Sequence, residues 1–248
     1  MREHLVASRI AGDVATPRES NVRNARRLAA GDPDVWFGLA PTSLTVEDVL
    51  RCLAERVGTS PDAGHTSGDD TIDPDRTIER LDAMAARLAA AARARASVFV
   101  ATGHPAGLLA VHLPVAQALR AAGCAVLTPD AGADVSYGDR RRELRYLGGV
   151  AVLSGRGELN HTHSPKPMEH LLRNGLRPDL VLADHGWAGA AAQAGIETLA
   201  FADTNDPALF VAEADGRVAV TVPLDDNVLP HLYQPLTDHL LQAIEHTT

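Results

Sequence analysis

Two histidines occupy alternate positions in the segment ELNHTHSPKP (158–167), and the only lysine of the chain follows them. These residues are His161, His163 and Lys166. In extended backbone, side chains at positions i and i+2 point to the same side, so both imidazoles can face one ion. Imidazole is a common ligand of divalent transition metals. The spacing predicts a metal-binding loop, and a pair of ordinary loop histidines is the alternative interpretation.

Other side chains with acid–base or metal-binding chemistry follow short apolar runs along the chain. In open α/β sheets, ligands bind beyond the carboxyl ends of the strands, so residues that follow several strands are expected at one edge. Carboxylates and imidazoles together bind divalent Mg, Mn, Co, Ni or Zn. The residues in these positions are His104, Asp184, His185, Asp203, Asn205, Asp206, Asp225 and Asp226.

Several of these positions also have a purely structural interpretation. Asp184 and Asp206 could cap the helices that follow them, and Asp225 and Asp226 could form a solvated turn. The run Arg140–Arg142 is expected to be a solvated face rather than a lid over phosphate. Because so many polar side chains follow strands, a shared functional site is favoured over these separate roles.

The elements that must position these residues are predicted from hydrophobic periodicity. Helical stretches separate most of the apolar runs that predict strands, at 97–102, 125–129, 150–154, 180–184, 198–203 and 217–222. Continuous apolar strands separated by helices indicate a parallel sheet buried on both faces. The predicted fold class is α/β, a Rossmann-like, mostly parallel sheet with helices on both faces and an N-terminal helical cap.

Residues 1–95 predict helices and loops, because apolar residues recur at i, i+3 and i+4 in several segments. Thr45 and Asp73 are the predicted N-caps. The polar segment 58–74, rich in glycine, serine and proline, predicts a mobile loop, and its part 66–74 is expected to close over the site and exclude water. We therefore expect a helical cap region (1–95) and a Rossmann-like α/β domain (96–248) that carries the site.

Composition and charge exclude several classes of protein. The 248 residues are 45% hydrophobic and carry a net charge of -9, whereas general nucleic-acid binding needs a basic surface. Cys52 and Cys124 lack the spacing of a disulfide framework or a thiolate zinc site, which fits a reducing cytoplasm. No apolar segment suits a signal peptide or a membrane helix. We expect a cytoplasmic protein without nucleic-acid or membrane partners, and homo-oligomerisation stays open.

Several familiar catalytic motifs do not occur in the sequence. It has no G-x-x-x-x-G-K-[ST] phosphate loop and no complete dinucleotide fingerprint. No serine lies in a G-x-S-x-G elbow. Neither cysteine has an arginine six residues on, as a cysteine-based phosphatase would, and no D-x-D-x-[TV] follows the first predicted strand of the sheet. The chemistry of the site is therefore expected to depend on its imidazoles, carboxylates and a metal.

Seven motifs that include the candidate residues are distinctive: SRIAGDVATPRESN, DDTIDP, VATGHPAGLL, HTHSPKPM, ADHGWAGAAAQAG, ADTNDPALF and VPLDDNV. With these motifs, nearly the whole chain resembles an actinobacterial family that is described as phosphatases. The arrangement is also similar to the metal-dependent damage-control phosphatases, which carry an Asp-Asn pair where this chain has Gly103-His104-Pro105. The segment 130–149 is shorter than expected for the actinobacterial family. The resemblance implies an enzyme that hydrolyses phosphate esters.

The candidate residues and the resemblance together predict a metal-dependent phosphatase that acts on a phosphomonoester of a small metabolite. A lyase or isomerase that acts on a sugar phosphate at the same metal site is one alternative. The other alternative is a non-catalytic protein that binds a phosphorylated ligand. Release of inorganic phosphate separates the first interpretation from both alternatives.

Roles follow from side-chain chemistry. A bound divalent ion activates water and neutralises phosphate charge, and basic side chains assist in that neutralisation. The expected metal ligands are His161, His163, Asp184, Asp203 and Asp206. The expected catalytic residues are His104, which is the candidate general acid, Asp184, His185 and Asn205. The expected substrate-binding residues are Lys166, Arg18 and Gly103.

Overall fold

The computed structural model of the protein describes residues 1–137 and 141–246. The helices of this part of the chain are α1 (Arg2–Ala7), α2 (Arg18–Ala29), α3 (Pro33–Trp36), α4 (Val46–Arg56), α5 (Pro74–Ala94), α6 (Pro105–Ala121), α7 (Lys166–Arg173), α8 (His185–Gln193), α9 (Pro207–Ala214) and α10 (Gln234–Glu245), with a 3-10 helix at Pro230–Tyr233. The strands are β1 (Gly12–Pro17), β2 (Asp69–Ile72), β3 (Ser97–Ala101), β4 (Ala125–Val126), β5 (Glu143–Leu147), β6 (Val150–Gly155), β7 (Glu158–Asn160), β8 (Leu180–Asp184), β9 (Glu197–Ala202) and β10 (Val220–Pro223).

The main sheet is mostly parallel. Its strands lie in the order β10-β9-β8-β3-β6-β5, and neighbouring strands from β10 to β6 are parallel. The edge strand β5 is antiparallel to β6, β7 is also antiparallel to β6, and the short β4 pairs in parallel with β3. The predicted α/β class with a mostly parallel sheet is confirmed.

Helices flank this sheet in two groups. In the first group α10 packs against both α5 and α6, and α5 also contacts β10. In the second group α8 packs against α7 and α9 and contacts β8 and β9. Although α5 lies in the predicted cap region, it packs directly on the sheet, and the buried apolar side chains of both regions form one core. The division into a cap (1–95) and an α/β domain (96–248) stays a prediction.

The N-terminal region contains a two-stranded sheet that the sequence pattern does not reveal. β1 pairs antiparallel with β2, with Gly12 opposite Ile72. Residues 69–72 therefore form a strand, and the prediction of a loop throughout 58–74 is wrong there. With Asp70 and Ile72 as its buried positions, β2 is too short to show a clear alternating pattern.

The predicted N-caps in this region are confirmed. The Thr45 side chain accepts a hydrogen bond from the Asp48 N–H in a capping box, and the Asp73 side chain accepts one from the Asp75 N–H. Each cap satisfies backbone donors that the first helical turn leaves unpaired. The predicted strand at 125–129 is confirmed only over Ala125–Val126.

The predicted basic face at Arg140–Arg142 is only partly described. Arg140 lies outside the described residues, and Arg141 is exposed. Across residues 1–137 and 141–246, no helix combines the length and the apolar character that crossing a bilayer requires.

Candidate metal-binding active site

The loop that carries the two histidines lies against the end of the central strand. It follows β7, and its Thr162 N–H donates a 2.8 Å hydrogen bond to the carbonyl oxygen of Gly103, which follows β3. A Cβ at Gly103 would lie 2.3 Å from the Thr162 oxygen, and one at Gly186 would lie 2.3 Å from the Ser164 carbonyl carbon. The two glycines therefore allow the histidine loop to pack directly on the ends of β3 and β8.

The loop after β10 reaches the same place. A Cβ at Gly107, in the first turn of α6, would lie 2.2 Å from the carbonyl oxygen of Asp226. The N-terminal segment holds this loop from the other side, because the Asp225 N–H donates to Ile10 O at 2.9 Å and the Ala15 N–H donates to Asp225 Oδ2 at 3.0 Å. Residues that follow β3, β7, β8, β9 and β10 thus meet at one edge.

Four imidazole rings pack together at this edge. The ring of His104 stacks on that of His161 with centroids 4.4 Å apart, and the ring of His163 stacks on that of His185 at the same distance. The Nε2 atoms of His161 and His163 lie 3.0 Å apart. Two ring nitrogens at this separation can share a proton or bind one ion, which is the arrangement expected from their alternate spacing.

His185 has a carboxylate beside each ring nitrogen. Its Nδ1 lies 2.9 Å from Asp184 Oδ1, and its Nε2 lies 3.1 Å from Asp206 Oδ2 and 3.5 Å from Asp226 Oδ2. The residue adopts a φ of +47°, a left-handed conformation that is uncommon for any residue other than glycine. Backbone strain of this kind is concentrated at functional sites.

His104 also faces a carboxylate, but without a hydrogen bond. Its Nδ1 lies 2.9 Å from Asp226 Oδ2, yet this buried atom has no hydrogen-bond partner of acceptable geometry. The residue is only 4% exposed, so the charge of the Asp226 carboxylate acts on the ring with little screening by water and favours its protonated form.

Asp184 and Asp206 occupy N-cap positions, but neither side chain caps the helix that follows. Asp184 instead accepts hydrogen bonds from the Thr102 hydroxyl at 2.5 Å and from the Gly103 N–H at 2.6 Å, in addition to its contact with His185. Asp206 turns its carboxylate towards His185. The interpretation of these residues as helix caps is therefore wrong, because both carboxylates face the histidines.

A group of buried carboxylates lies next to the imidazoles. Asp203, Asp225 and Asp226 are at most 4% exposed, and each offers an oxygen within 4.8 Å of the other two. The interpretation of Asp225 and Asp226 as a solvated turn is therefore wrong. Thr16, on β1, donates its hydroxyl to Asp203 Oδ2, and the Thr204 N–H donates to Oδ1 at 2.6 Å.

The carboxylates titrate differently because their neighbours differ. Burial and the nearby Asp226 raise the pKa of Asp203 well above its ordinary value. Burial also opposes ionisation of Asp184, but the hydrogen bond and charge of His185 outweigh it and lower the pKa of Asp184 to about 2. Asp184 is therefore an anion at neutral pH.

The imidazoles divide into two kinds. Burial and the neighbouring rings lower the pKa of His161 to about 4, and burial also lowers the pKa of His163. Burial opposes the charged forms of His104 and His185 as well, but Asp226 raises the pKa of His104, and nearby carboxylates raise that of His185 well above its ordinary value. The two loop histidines are therefore neutral at pH 7, which is the form that binds metals.

Two groups of candidate metal ligands share His185. One comprises His104, His161 and His185, and the other comprises His163, His185 and Asp206; in each group, one ligand atom per residue lies within 4.8 Å of the others. Such nitrogen and oxygen donors suit divalent transition metals. The described residues therefore contain His and Asp groups that could bind a metal ion.

A cavity of about 720 Å³ opens beside these groups. His163 and Asp206 line it, and so do Lys166 and Asn205. A molecule in this cavity would contact His163 and both of these polar side chains. Gly103 has no N–H to offer to such a molecule, because its N–H already donates to Asp184.

Arg18 is not among the residues that the structure brings together. It is fully buried, and its guanidinium donates to Asp70 at 2.9 Å and to the backbone oxygens of Ser60, Asp62 and His65. It therefore orders the segment 58–74, and neither Arg18 nor this segment lines the cavity. The predicted closure of the segment over the site stays a prediction.

Two residues of the site received no role in the sequence prediction, although Asp226 was among the candidates that follow strands. Asp226 contacts both His104 and His185, and its position after the sixth predicted strand was a usable signal. Thr16 reaches Asp203 from the other end of the chain. No local pattern around Thr16 indicates this contact, because it depends on tertiary packing.

The fold and the site define an α/β protein with a group of imidazoles and carboxylates at the carboxyl edge of its sheet. This imidazole–carboxylate group comprises His104, His161, His163, His185, Asp206 and Asp226. A model of the family described as Phosphatase matches residues 1–248, so the chain belongs to this family. The chain is also similar to Phosphatase SCO2771 of Streptomyces coelicolor, with 48% identity over 249 residues, which covers 97% of this chain and 94% of that protein. Membership places the protein among the hydrolases and confirms the resemblance to the phosphatase family; the likeness to damage-control phosphatases stays a prediction.

Proposed function

We propose that the protein is a metal-dependent phosphatase that hydrolyses a phosphomonoester of a small metabolite. The observation that carries this proposal is the close packing of four imidazoles with Asp206 and Asp226 beside a cavity of about 720 Å³. Family membership supports phosphate-ester hydrolysis. The mixture of nitrogen and oxygen donors supports metal dependence.

We assign the ion to His161, His163, His185 and Asp206, and His185 would release its Nε2 proton when the ion binds. The two loop histidines are neutral and bring their Nε2 atoms to 3.0 Å, and His185 Nε2 lies 3.1 Å from Asp206. A divalent ion bound here would polarise a phosphoryl oxygen and make water a stronger nucleophile at neutral pH.

Asp184 and Asp203 have a positioning role in this proposal. The oxygens of Asp184 accept hydrogen bonds from Thr102 and Gly103, and its contact with Nδ1 of His185 leaves Nε2 directed at Asp206. The oxygens of Asp203 accept from Thr16 and Thr204. Asp184 thereby fixes the tautomer and the ring orientation of His185, as carboxylates beside metal-binding imidazoles do. Asp203 positions the loop after β9 by joining it to β1 through Thr16.

The remaining residues bind the substrate or move its proton. Lys166 begins α7 and lines the cavity, so its ammonium neutralises phosphate oxygens. Asn205 also lines the cavity and offers an amide to the same group. His104 is the candidate general acid, because the pKa raised by Asp226 keeps a proton on the ring for the leaving alkoxide.

The test is phosphate release from a panel of phosphorylated metabolites. Protein stripped by a chelator would be reloaded separately with Mg, Mn, Co, Ni or Zn, and bound metal would be quantified by mass spectrometry. We expect activity to return with at least one metal, and the variant His161→Ala/His163→Ala to lose both bound metal and activity. The matched control is His231→Ala, which removes an exposed imidazole outside the site.

Each result has a defined meaning. Tight metal binding without phosphate release from any substrate would reject the phosphatase assignment and favour a lyase, an isomerase or a binding protein. Full activity in the chelated protein would reject metal dependence while leaving hydrolysis in place. Equal metal content in the double variant and in the control would reject the ligand assignment.

A further inference from the structure

Arginines of α2 line the same cavity as the imidazole–carboxylate group. Arg23 and Arg27 lie one helical turn apart and therefore on one face of α2, and both line the cavity. Lys166 lines it from the first turn of α7. The proposed phosphatase mechanism assigns a role to Lys166 but none to Arg23 or Arg27.

The cations of the cavity differ in their partners. Arg27 pairs with Asp32 at 2.8 Å and lies 3.8 Å from Asp34. Within the described parts of the chain, Arg23 donates only to the Ser20 hydroxyl at 3.1 Å, and no carboxylate pairs with Arg23 or Lys166. On a chain with a net charge of -9, uncompensated cations gathered in one cavity create a local attraction for anions.

The α2 side of the cavity is tied directly to the imidazole–carboxylate group. Asn24 Nδ2, next to Arg23, donates a 2.7 Å hydrogen bond to the carbonyl oxygen of Asn205. The following residue, Asp206, contacts His185. The cavity volume falls in the range of about 300–1,000 Å³ that is usual for small-molecule sites. One molecule can therefore reach His163, Asp206 and Arg23 together.

We propose that the substrate carries a second anionic group besides the scissile phosphate, and that Arg23 binds it. This inference rests on the proposed function, which places the scissile phosphate at the histidines. A guanidinium donates two parallel hydrogen bonds to either a carboxylate or a phosphate, so both chemistries suit Arg23. Arg27, partly neutralised by Asp32, contributes charge rather than a contact of its own.

The test compares substrates that differ in the second anionic group. 3-Phosphoglycerate is paired with glycerol 3-phosphate, and fructose 1,6-bisphosphate is paired with fructose 6-phosphate. For the member with the second anion, we expect Arg23→Ala to raise KM roughly 10- to 100-fold with little change in kcat, as the loss of charge-assisted hydrogen bonds predicts. The other member of each pair should be unaffected. The first pair probes a carboxylate and the second probes a phosphate.

Arg26→Ala is the matched control, because Arg26 is exposed on the same helix and lines a neighbouring cavity but not this one. Binding of all four compounds would also be measured by calorimetry, independently of turnover. If no phosphate is released but Arg23→Ala selectively weakens binding of the second-anion compounds, the role of Arg23 in binding the second anion stands and the phosphatase assignment fails. Equal effects on both members of each pair, or no preference for the second anion in either assay, would overturn the inference.

Discussion

The ring of His185 turns back onto the carboxylate of the preceding residue, with Nδ1 2.9 Å from Asp184 Oδ1. The left-handed backbone of His185 accompanies this contact at the abrupt junction of β8 and α8. Asp184 is itself fixed by the Thr102 hydroxyl and the Gly103 N–H at the end of β3. Two neighbouring strand ends therefore determine which way one imidazole faces.

Asp184→Asn should weaken metal binding roughly 10- to 100-fold, because the amide no longer fixes the tautomer and orientation of His185. Competition with a chromophoric chelator would measure the affinity. Asp238→Asn, at an exposed position of α10, is the control and should bind metal as the unmodified protein does. An unchanged affinity in Asp184→Asn would show that His185 needs no orienting carboxylate.

Gly103→Ala should disturb the site through packing alone. The new Cβ would lie 2.3 Å from the Thr162 oxygen, so the histidine loop must move away from the end of β3. We expect a loss of about 1–3 kcal/mol in the free energy of unfolding, measured in urea, together with weaker metal binding. Gly64→Ala, where a Cβ meets only the side chain of Asp62, should leave both unchanged. Normal metal binding in Gly103→Ala would mean that the loop tolerates displacement.

Arg18→Lys distinguishes a structural arginine from a phosphate-binding one. A lysine keeps the charge but cannot reproduce the donors that reach Asp70 and several backbone oxygens. We expect urea unfolding to show a loss of about 1–3 kcal/mol, while KM for a phosphorylated substrate stays the same. A raised KM with unchanged stability would instead support the role in phosphate binding predicted from the sequence.

Neither cysteine should act as a nucleophile. Burial raises the pKa of Cys52 to about 11 and also raises that of Cys124, so both thiols stay protonated at neutral pH and thiolate appears only as the pH rises towards these values. Iodoacetamide at pH 7.5 should therefore leave activity and intact mass unchanged, whereas protein unfolded in urea should be alkylated at both positions. Rapid inactivation of the folded protein would indicate an essential thiol.

The buried parallel strands were predictable from sequence because their apolar runs are continuous. Residues 97–101, 150–155, 180–184 and 197–202 form strands close to the predicted limits. β5 and β7 were missed, since both are antiparallel and half-exposed, and β7 has only three residues. Their existence depends on pairing with β6, which a local pattern does not encode.

The candidate site was predictable where its residues follow such strands. The structure brings His104, His161, His163 and His185 together, as residues beyond the strand ends should be. Arg18 shows the limit of this approach, because its conspicuous position in a distinctive motif does not reveal that Asp70 and a loop accept four hydrogen bonds from its guanidinium. Burial and partners of a charged residue are properties of the packed structure.

The hydrogen bonds from β1 to the carboxylates span almost the whole chain. Thr16 and Asp203 are 187 positions apart, and Ala15 and Asp225 are 210 apart. During synthesis, β1 leaves the ribosome long before either partner exists, and contacts of such high sequence separation form slowly. A ligand bound at this edge would hold together residues that follow β10 and the strand β1 that contacts them. Because it binds only the folded protein, its binding free energy adds to the free energy of unfolding. A loaded protein should therefore resist proteolysis near both termini.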